Sequence, residues 1–245
     1  MRPGFDRIVF HNDATVRKNG DLTRLIHEVE AMEYVKSHTS VPMPMILQTS
    51  LGERVGTEGF FIMQRLPGIP LDVAWPMMTD ESKFNTVEQL RFYIQQLHAL
   101  TPPAVDSPKV GSVSGGPPFD HRLSNRNDIV PFASVSQFHD FLVVPIEESQ
   151  WPEWAPRYRR RLSDRHRSHF AHGDLGWDNI LVDDSNGDVI GILDWEMAGV
   201  WPEWWEFRQA LSGPRCNRPW WRDILGQIMK EYPKETNADM HIERF

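Results

Sequence analysis

The stretch of the chain richest in groups able to do chemistry is residues 170–196, FAHGDLGWDNILVDDSNGDVIGILDWE. Residues 179–182 and 189–193 are apolar, β-prone runs, and Asp183-Asp184-Ser185-Asn186-Gly187-Asp188 lies between them. Asn-Gly is the strongest short hairpin signal, and a turn centred on Asn186 and Gly187 sets Asn179 opposite Asp194. One oxygen donor then begins the first strand and another ends the second, so both sit at the open end of the hairpin. Two such oxygens suit a hard cation such as magnesium, with water and phosphate in its other positions. A one-residue bulge would move Asp194 beside the partner position and keep the pair together. Asp174, five residues before Asn179, falls on the turn entering the hairpin. A carboxylate there can take a hydroxyl proton as the oxygen attacks phosphorus. Each residue alone also suits a capped turn, but that reading does not account for three together in an oxygen-ligand arrangement.

The elements that must position these groups begin upstream. Residues 8–10 and 15–18 flank the turn-like His11-Asn12-Asp13-Ala14 and predict a hairpin. Asp21 can cap a following helix that runs to about Ser37 and stops before Pro42. Residues 45–49 and 60–66 read as strands, and Pro67-Gly68 closes this section. Residues 81–100 are predicted helical, with Phe84, Val87, Leu90, Ile94 and Leu97 at threes and fours. Residues 102–131, rich in Pro, Gly, Ser and Asn, read as a long loop. Residues 138–146 and the stretch from Trp154 to about His166 read as helices, as does the Trp-rich part from about Trp204. There are no internal repeats. The pattern is α+β: a small strand-rich lobe, residues 1–66, then a larger helical lobe, residues 67–245.

Within the first lobe, strand alternation puts Val16 and Lys18 on one face, so the lysine points inward if the valine does. A buried lysine needs an anionic partner. In the helix after Asp21, Leu22, Leu25, Ile26, Val29, Met32 and Val35 form one apolar stripe. Glu28 falls inside the stripe and Glu30 points away. Glu33 falls inside its other side, so the stripe alone admits either Glu28 or Glu33.

Composition narrows the class. The chain has 245 residues, 40% hydrophobic and 24% charged, an ordinary globular balance. Its net charge of −8 argues against nucleic acid as a partner, which calls for a basic stripe. That charge suits a cationic substrate, and equally plain solubility. The single cysteine, Cys216, cannot form an internal disulfide, points to a reducing compartment, and reads as a buried or incidental thiol. The opening MRPGFDRIVF lacks the apolar core of a signal peptide. No apolar run reaches the roughly 18 residues of a membrane span. A cytoplasmic protein with no membrane partner is the expectation.

His172-Gly173-Asp174-Leu175, Asn179-Ile180-Leu181 and Ile192-Leu193-Asp194-Trp195-Glu196 together resemble the aminoglycoside-phosphotransferase and choline-kinase group. Residues 194–199 with Pro202-Glu203-Trp204 look most like its fungal members. The Asp-x4-Asn spacing is the one kinases place between catalytic Asp and metal-binding Asn. The resemblance implies a protein-kinase-like two-lobed fold, ATP and Mg2+ as cofactors, and phosphoryl transfer to a hydroxyl of a small molecule. It implies Asp174 as catalytic base and Asn179 and Asp194 as metal ligands. It further implies Lys18 at the nucleotide phosphates, steadied by a helix glutamate; the family's Glu-x-x-x-Met pattern falls on Glu28. Residues 60–68 resemble the hinge, with Met63 behind the adenine and the Gln64 carbonyl and Leu66 N–H at its edge; their plain reading is an edge of core sheet. His172 is expected as a packing and hydrogen-bonding post. Glu196 would support a second metal or pair with a neighbouring cation.

Several further features bear on the substrate. Asp194 is followed by Trp195-Glu196 rather than Phe-Gly, and Pro202 is expected to begin a helix-like stretch. That leaves no room for a peptide-docking segment and favours a small hydroxylated or amino-bearing acceptor. Trp195, Trp201, Trp204, Trp205, Trp220 and Trp221 with Glu203 and Glu206 would suit a cation box, although packing of the helical lobe is the favoured reading. The arginine-rich run of residues 157–167 reads as a solvated helix face. Only seventeen residues precede Lys18, and Gly4 is the only glycine among them. The first strand and the phosphate-covering loop are therefore expected to be shortened or missing. This keeps a second reading open, a pseudokinase-type binding module with impaired or no turnover. The intact Asp174, Asn179 and Asp194 set speaks for the enzyme.

Overall fold

The computed structural model describes residues 7–52, 58–100, 109–123 and 129–245. The first hairpin forms as its turn residues dictate. β1 (Ile8–Phe10) and β2 (Thr15–Asp21) pair antiparallel, and Asn12 Oδ1 accepts the Ala14 N–H at 2.8 Å across the turn. Asp21 ends β2 and caps α1 (Leu22–His38) by taking the Thr23 N–H at 2.9 Å. Such a cap satisfies one of the donors left without a partner at a helix start. Leu22, Leu25, Val29, Met32 and Val35 are the buried face of α1, with Glu28 among them, while Glu33 is exposed. β3 (Ile46–Ser50) and β4 (Glu58–Gln64) complete an antiparallel sheet of order β1-β2-β4-β3. α1 lies against β2 and β4.

After β4 come β5 (Ile69–Pro70), α2 (Leu71–Ala74) and α3 (Asp80–Ala99). Then follow α4 (Val135–Glu147), α5 (Ala155–Arg159) and β6 (Ser168–Ala171). β7 (Ile180–Val182) and β8 (Val189–Ile192) form the second hairpin, and β5 joins it on the β7 side. β9 (Gly199–Pro202), α6 (Trp205–Ala210), α7 (Pro219–Ile228) and α8 (Pro233–Ile242) complete the chain. No helix among the described residues is long and apolar enough to cross a membrane.

Packing divides the chain into two units, residues 1–93 with 176–196, and residues 94–175 with 197–245. These cuts differ from a lobe boundary after residue 66, because β5 pairs with β7 and ties residues 69–93 to the hairpin. The first unit holds the four-stranded sheet, α1, α2 and the β5-β7-β8 sheet.

The core of the second unit is aromatic. Trp201, Trp204, Trp205 and Trp221 are each 0% exposed. Trp201 stacks on Trp205 with ring centroids 4.9 Å apart, and Phe138 of α4 meets Trp205 edge-on at 5.0 Å. These rings are packing, not a cation box. β6 pairs with β9, and His169 of β6 stacks on His98 with centroids 3.7 Å apart.

Two local expectations are corrected here. The helix expected to reach His166 stops at Arg159, whose guanidinium instead holds Asp140 at 2.6 Å and Asp164 at 2.9 Å. The chain then turns into β6, which carries no sequence signal of its own length. Pro202 ends β9 rather than starting a helix, since Ser168 pairs with it and the Glu203 N–H reaches Arg167 O at 2.9 Å. Cys216 is exposed, which removes the buried alternative and leaves the incidental one. Of the expected long loop, residues 101–108 and 124–128 lie outside the described residues; of the segment before Lys18, residues 1–6 lie outside them too, while residues 8–10 form β1 and residues 11–14 the short turn into β2. Val110 bridges Phe132, and Gly111 bridges Val200.

Candidate functional site

The β7–β8 hairpin keeps its two oxygen donors at one end, by a register other than the expected one. Ile180 pairs with Ile192 and Leu181 with Gly191, then the register shifts and Val182 faces Val189. The turn is wider than Asn186-Gly187 alone: Asp183 N–H reaches Asp188 O at 2.9 Å, and Gly187 N–H reaches Asp183 O at 2.8 Å. The cause is α3. Thr86 Oγ1 donates to Gly187 O at 2.7 Å, and Asn85 and Gln89 each donate to Asp188 Oδ1 at 2.9 Å. Gly187 has φ +79°, and a Cβ on it would lie 1.9 Å from Ser82 O. Its glycine thus serves the contact with α3. At the other end, Leu193 N–H donates to Asn179 O at 2.8 Å, which places Asp194 one step beyond. Asp194 is the one non-glycine with positive φ among the described residues, at 62°. Aspartate tolerates that left-handed region better than most residues, and strained backbone of this kind concentrates at functional sites.

Around Asp194 the first unit collects charge. Lys18 and Glu28 are each 2% exposed. Lys18 Nζ lies 2.6 Å from Glu28 Oε2, donates to Asp194 Oδ1 at 2.7 Å, and stands 3.9 Å from Glu196 Oε2. Arg7 Nη2 contacts Glu196 Oε2 and lies 3.7 Å from Asp194 Oδ1. Burial pushes the Glu28 carboxyl up to about 7, against the pull of Lys18. Burial also acts to lower the Lys18 ammonium, but Glu28, Asp194 and Glu196 outweigh it and hold it above the ordinary lysine value. Carboxylate oxygens of Glu28, Asp194 and Glu196 lie within 4.8 Å of one another. This is a set of hard oxygen donors of the kind that fits magnesium, and Asn179 lines the same cavity as Glu28 and Asp194.

A cavity of about 400 Å³ opens beside this cluster, within the size range of small-molecule sites. Lys18, Glu28, Met63, Gln64, Leu66, Asn179 and Asp194 all line it, together with Ile8, Phe10, Val16, Leu181 and Leu193. The strand after Met63 is pinned by two backbone bonds, Gln64 N–H to Met45 O at 2.9 Å and Arg65 N–H to Ala14 O at 2.8 Å. A Cβ on Gly68 would lie 2.7 Å from Leu181 Cβ, so a glycine lets the chain run this close to β7.

Asp174 belongs to the second unit. Gly173 before it has φ +78°, and a Cβ there would lie 2.3 Å from Met197 O. Glu206 of α6, fully buried, accepts the His172 N–H at 2.6 Å and the Gly173 N–H at 3.4 Å. Burial pushes its carboxyl up to about 7, opposed by these N–H groups. His172 Nδ1 accepts the Asp174 N–H at 3.2 Å, a post within the loop. Asp174 Oδ1 accepts from Arg215 Nη1 at 2.6 Å; Arg215 rises from the 3-10 turn Gly213–Asn217. Sequence reasoning grouped Glu206 with a cation box and passed over Arg7 and Arg215. None of the three lies on a periodic face that would have marked it.

The α+β fold is that of the kinase-like phosphotransferases. The sequence profile of the phosphotransferase enzyme family matches residues 15–232, and the chain belongs to that family. The GDP and kanamycin complex of APH(2")-IIia superposes with a TM-score of 0.66 at 16% identity, covering 98% of this chain and 80% of that one. The aminoglycoside-3'-phosphotransferase of type VIII gives 0.60 at 15% identity, over 97% and 93% of the two chains. APH(3'')-Id from Streptomyces rimosus, in complex with ADP and streptomycin, gives 0.59 at 16% identity, over 94% and 85%. At these identities the likeness is one of fold. No curated protein sequence matches the chain.

Proposed function

We propose that this protein is an ATP- and magnesium-dependent phosphotransferase acting on a hydroxyl of a small molecule. The observation that carries this is the single cavity lined by Lys18, Glu28, Met63, Gln64, Leu66, Asn179 and Asp194. In this reading residues 1–66 are the nucleotide lobe and residues 67–245 carry the catalytic loop, the metal ligands and the acceptor site. The Gln64 carbonyl and the Leu66 N–H would meet the edge of an adenine, with Met63 behind the ring. Lys18, held by Glu28, contacts phosphate oxygens. Asn179 and Asp194 would hold magnesium, which when bound neutralises charge on the phosphates. Asp174 takes the proton of the acceptor hydroxyl, the freed oxygen forms its bond to the γ-phosphorus, and the bond to the ADP oxygen breaks. Glu206 and His172 hold the loop that presents Asp174. ADP and GDP in the relatives' complexes support a nucleotide donor, and kanamycin and streptomycin support a hydroxylated, cationic acceptor. The exposed thiol of Cys216 fits the reducing cytoplasm as its compartment.

A second reading, a binding module with impaired turnover, is favoured by one contact: Asp174 is already engaged by Arg215. ADP release measured with ATP, magnesium and a panel of amino alcohols, sugars and aminoglycosides separates the two. The enzyme reading expects magnesium-dependent turnover with at least one acceptor, reduced at least ~10²-fold by Asp174→Asn. ATP binding with no turnover across the panel would favour the binding module.

A further inference from the structure

The acidic cluster of the first unit holds a second cation besides Lys18. Arg7 sits at the foot of β1 with its carbonyl fixed by the Asn19 N–H at 2.7 Å, and the next residue, Ile8, pairs with Lys18. Its backbone is therefore anchored beside the phosphate-site lysine, while its side chain is 41% exposed and has room to move. That side chain rests on Glu196 and lies 3.7 Å from Asp194 Oδ1. Glu196 is deeply buried and needs a counter-charge close by. Lys18 supplies little of it, being 3.9 Å away and already shared by Glu28 and Asp194.

With all three carboxylates ionised, the two cations leave the cluster with a single negative charge. A dication bound by Asp194 reverses that sign and stands within a few ångströms of the Arg7 guanidinium, so the two compete for the same oxygens. If the dication arrives with a polyphosphate, the displaced guanidinium meets phosphate oxygens, which its planar fork matches better than any other side chain. Metal alone would have to expel Arg7, whereas metal with nucleotide would give Arg7 a new partner.

Resting on the nucleotide and metal reading above, we propose that Arg7 is a phosphate-binding residue of the donor site. Without nucleotide it is the counter-ion of Asp194 and Glu196 and holds divalent cation off them. The test measures Mn2+ alone by the loss of its free electron-spin signal, and ATP with Mn2+ by calorimetry. Arg7→Ala should bind Mn2+ alone about fivefold tighter than wild type, yet bind ATP with Mn2+ about tenfold more weakly. Should Arg7→Ala fail to fold, Arg7→Gln, which keeps most of the stem, is read in the same two assays. A purely structural arginine would move both affinities down together, which would overturn the proposal. Tighter Mn2+ with unchanged nucleotide affinity would overturn the phosphate role. If wild type binds Mn2+ in a way that Asp194→Asn abolishes, and Arg7→Ala binds it equally well, this inference falls alone. If neither protein binds Mn2+, it falls together with the metal reading of Asp194.

Discussion

Mild acid should load a strain onto the second unit through the stacked pair His98 and His169. Burial holds His98 down at about 4 and His169 at about 3, where the charge of His98 adds to the effect. Neither Nε2 has a hydrogen-bond partner, and for His98 the favourable pull of Glu203 is outweighed by burial. Both values lie below those of the unfolded chain, so unfolding takes up protons as the pH falls below 6.5, and stability present above that pH is lost on the way down towards 4. At pH 5 this amounts to about 1.5 pH units at 1.36 kcal/mol each, roughly 2 kcal/mol per histidine. Glu28 and Glu206 act with the opposite sign. Both are pushed up to about 7 by burial, so the folded chain takes up protons first and gains stability between pH 7 and 4.5. The two effects are similar in size, and the wild-type profile between pH 6.5 and 5 should be nearly flat. The histidine term must therefore be read as a difference. His169→Phe keeps a ring on His98 and removes one titrating group. Urea unfolding at pH 7.5 and 5 should show the variant faring better than wild type on acidification, by about 2 kcal/mol. Identical pH dependence in the two proteins would refute the buried-neutral account.

Other substitutions probe the remaining elements. Gly187→Ala should cost at least ~1–3 kcal/mol, since it combines positive φ with a backbone clash on α3; a thermal melt superimposable on wild type would contradict the turn geometry. Glu206→Ala should cost about 1–3 kcal/mol by leaving the His172 N–H unsatisfied. Glu206→Gln, which retains an acceptor, should stay close to wild type in the same denaturant titration. Lys18→Met should weaken ATP binding tenfold or more and lower stability by stranding Glu28. Adding Glu28→Gln should restore the stability and not the affinity, and recovery of both would remove Lys18 from the phosphate site.

The pairing of Lys18 with Glu28 was legible because both positions belong to periodic elements, a strand of alternating faces and a helix with one apolar stripe. Stripe geometry left Glu33 open, and the packing of α1 against the sheet resolves it in favour of Glu28. The common end of Asn179 and Asp194 was legible as well, from two apolar runs around an Asn-Gly signal. The register between them was not. It is set by Thr86, Asn85 and Gln89, a hundred residues away along the chain, and a local turn rule carries no information about them. The charged run after Trp154 looked helical, but α5 ends at Arg159 and the chain tightens into turns closed by Arg161 N–H to Tyr158 O and Leu162 N–H to Arg159 O. Arg7 and Arg215 escaped notice because each is a single charged residue outside a periodic element, and Glu206 was read for a cation box because its partners, the His172 and Gly173 N–H groups, come from a distant loop.

The discontinuous make-up of the first unit has a consequence for how the protein is made. Residues 176–196 complete a unit that otherwise ends at residue 93, and they bring Asn179, Leu181, Leu193 and Asp194 to its cavity. A nascent chain emerging from the ribosome can form the first sheet early, but at about 5–20 residues per second it waits several seconds for the hairpin that finishes the pocket. During that interval Gly68 and the β5 segment have no β7 to lie against, and Lys18 and Glu28 have no Asp194. The cavity is therefore completed only once residues 176–196 have been made, and a chain interrupted before residue 176 would carry most of the first unit without Asn179 and Asp194.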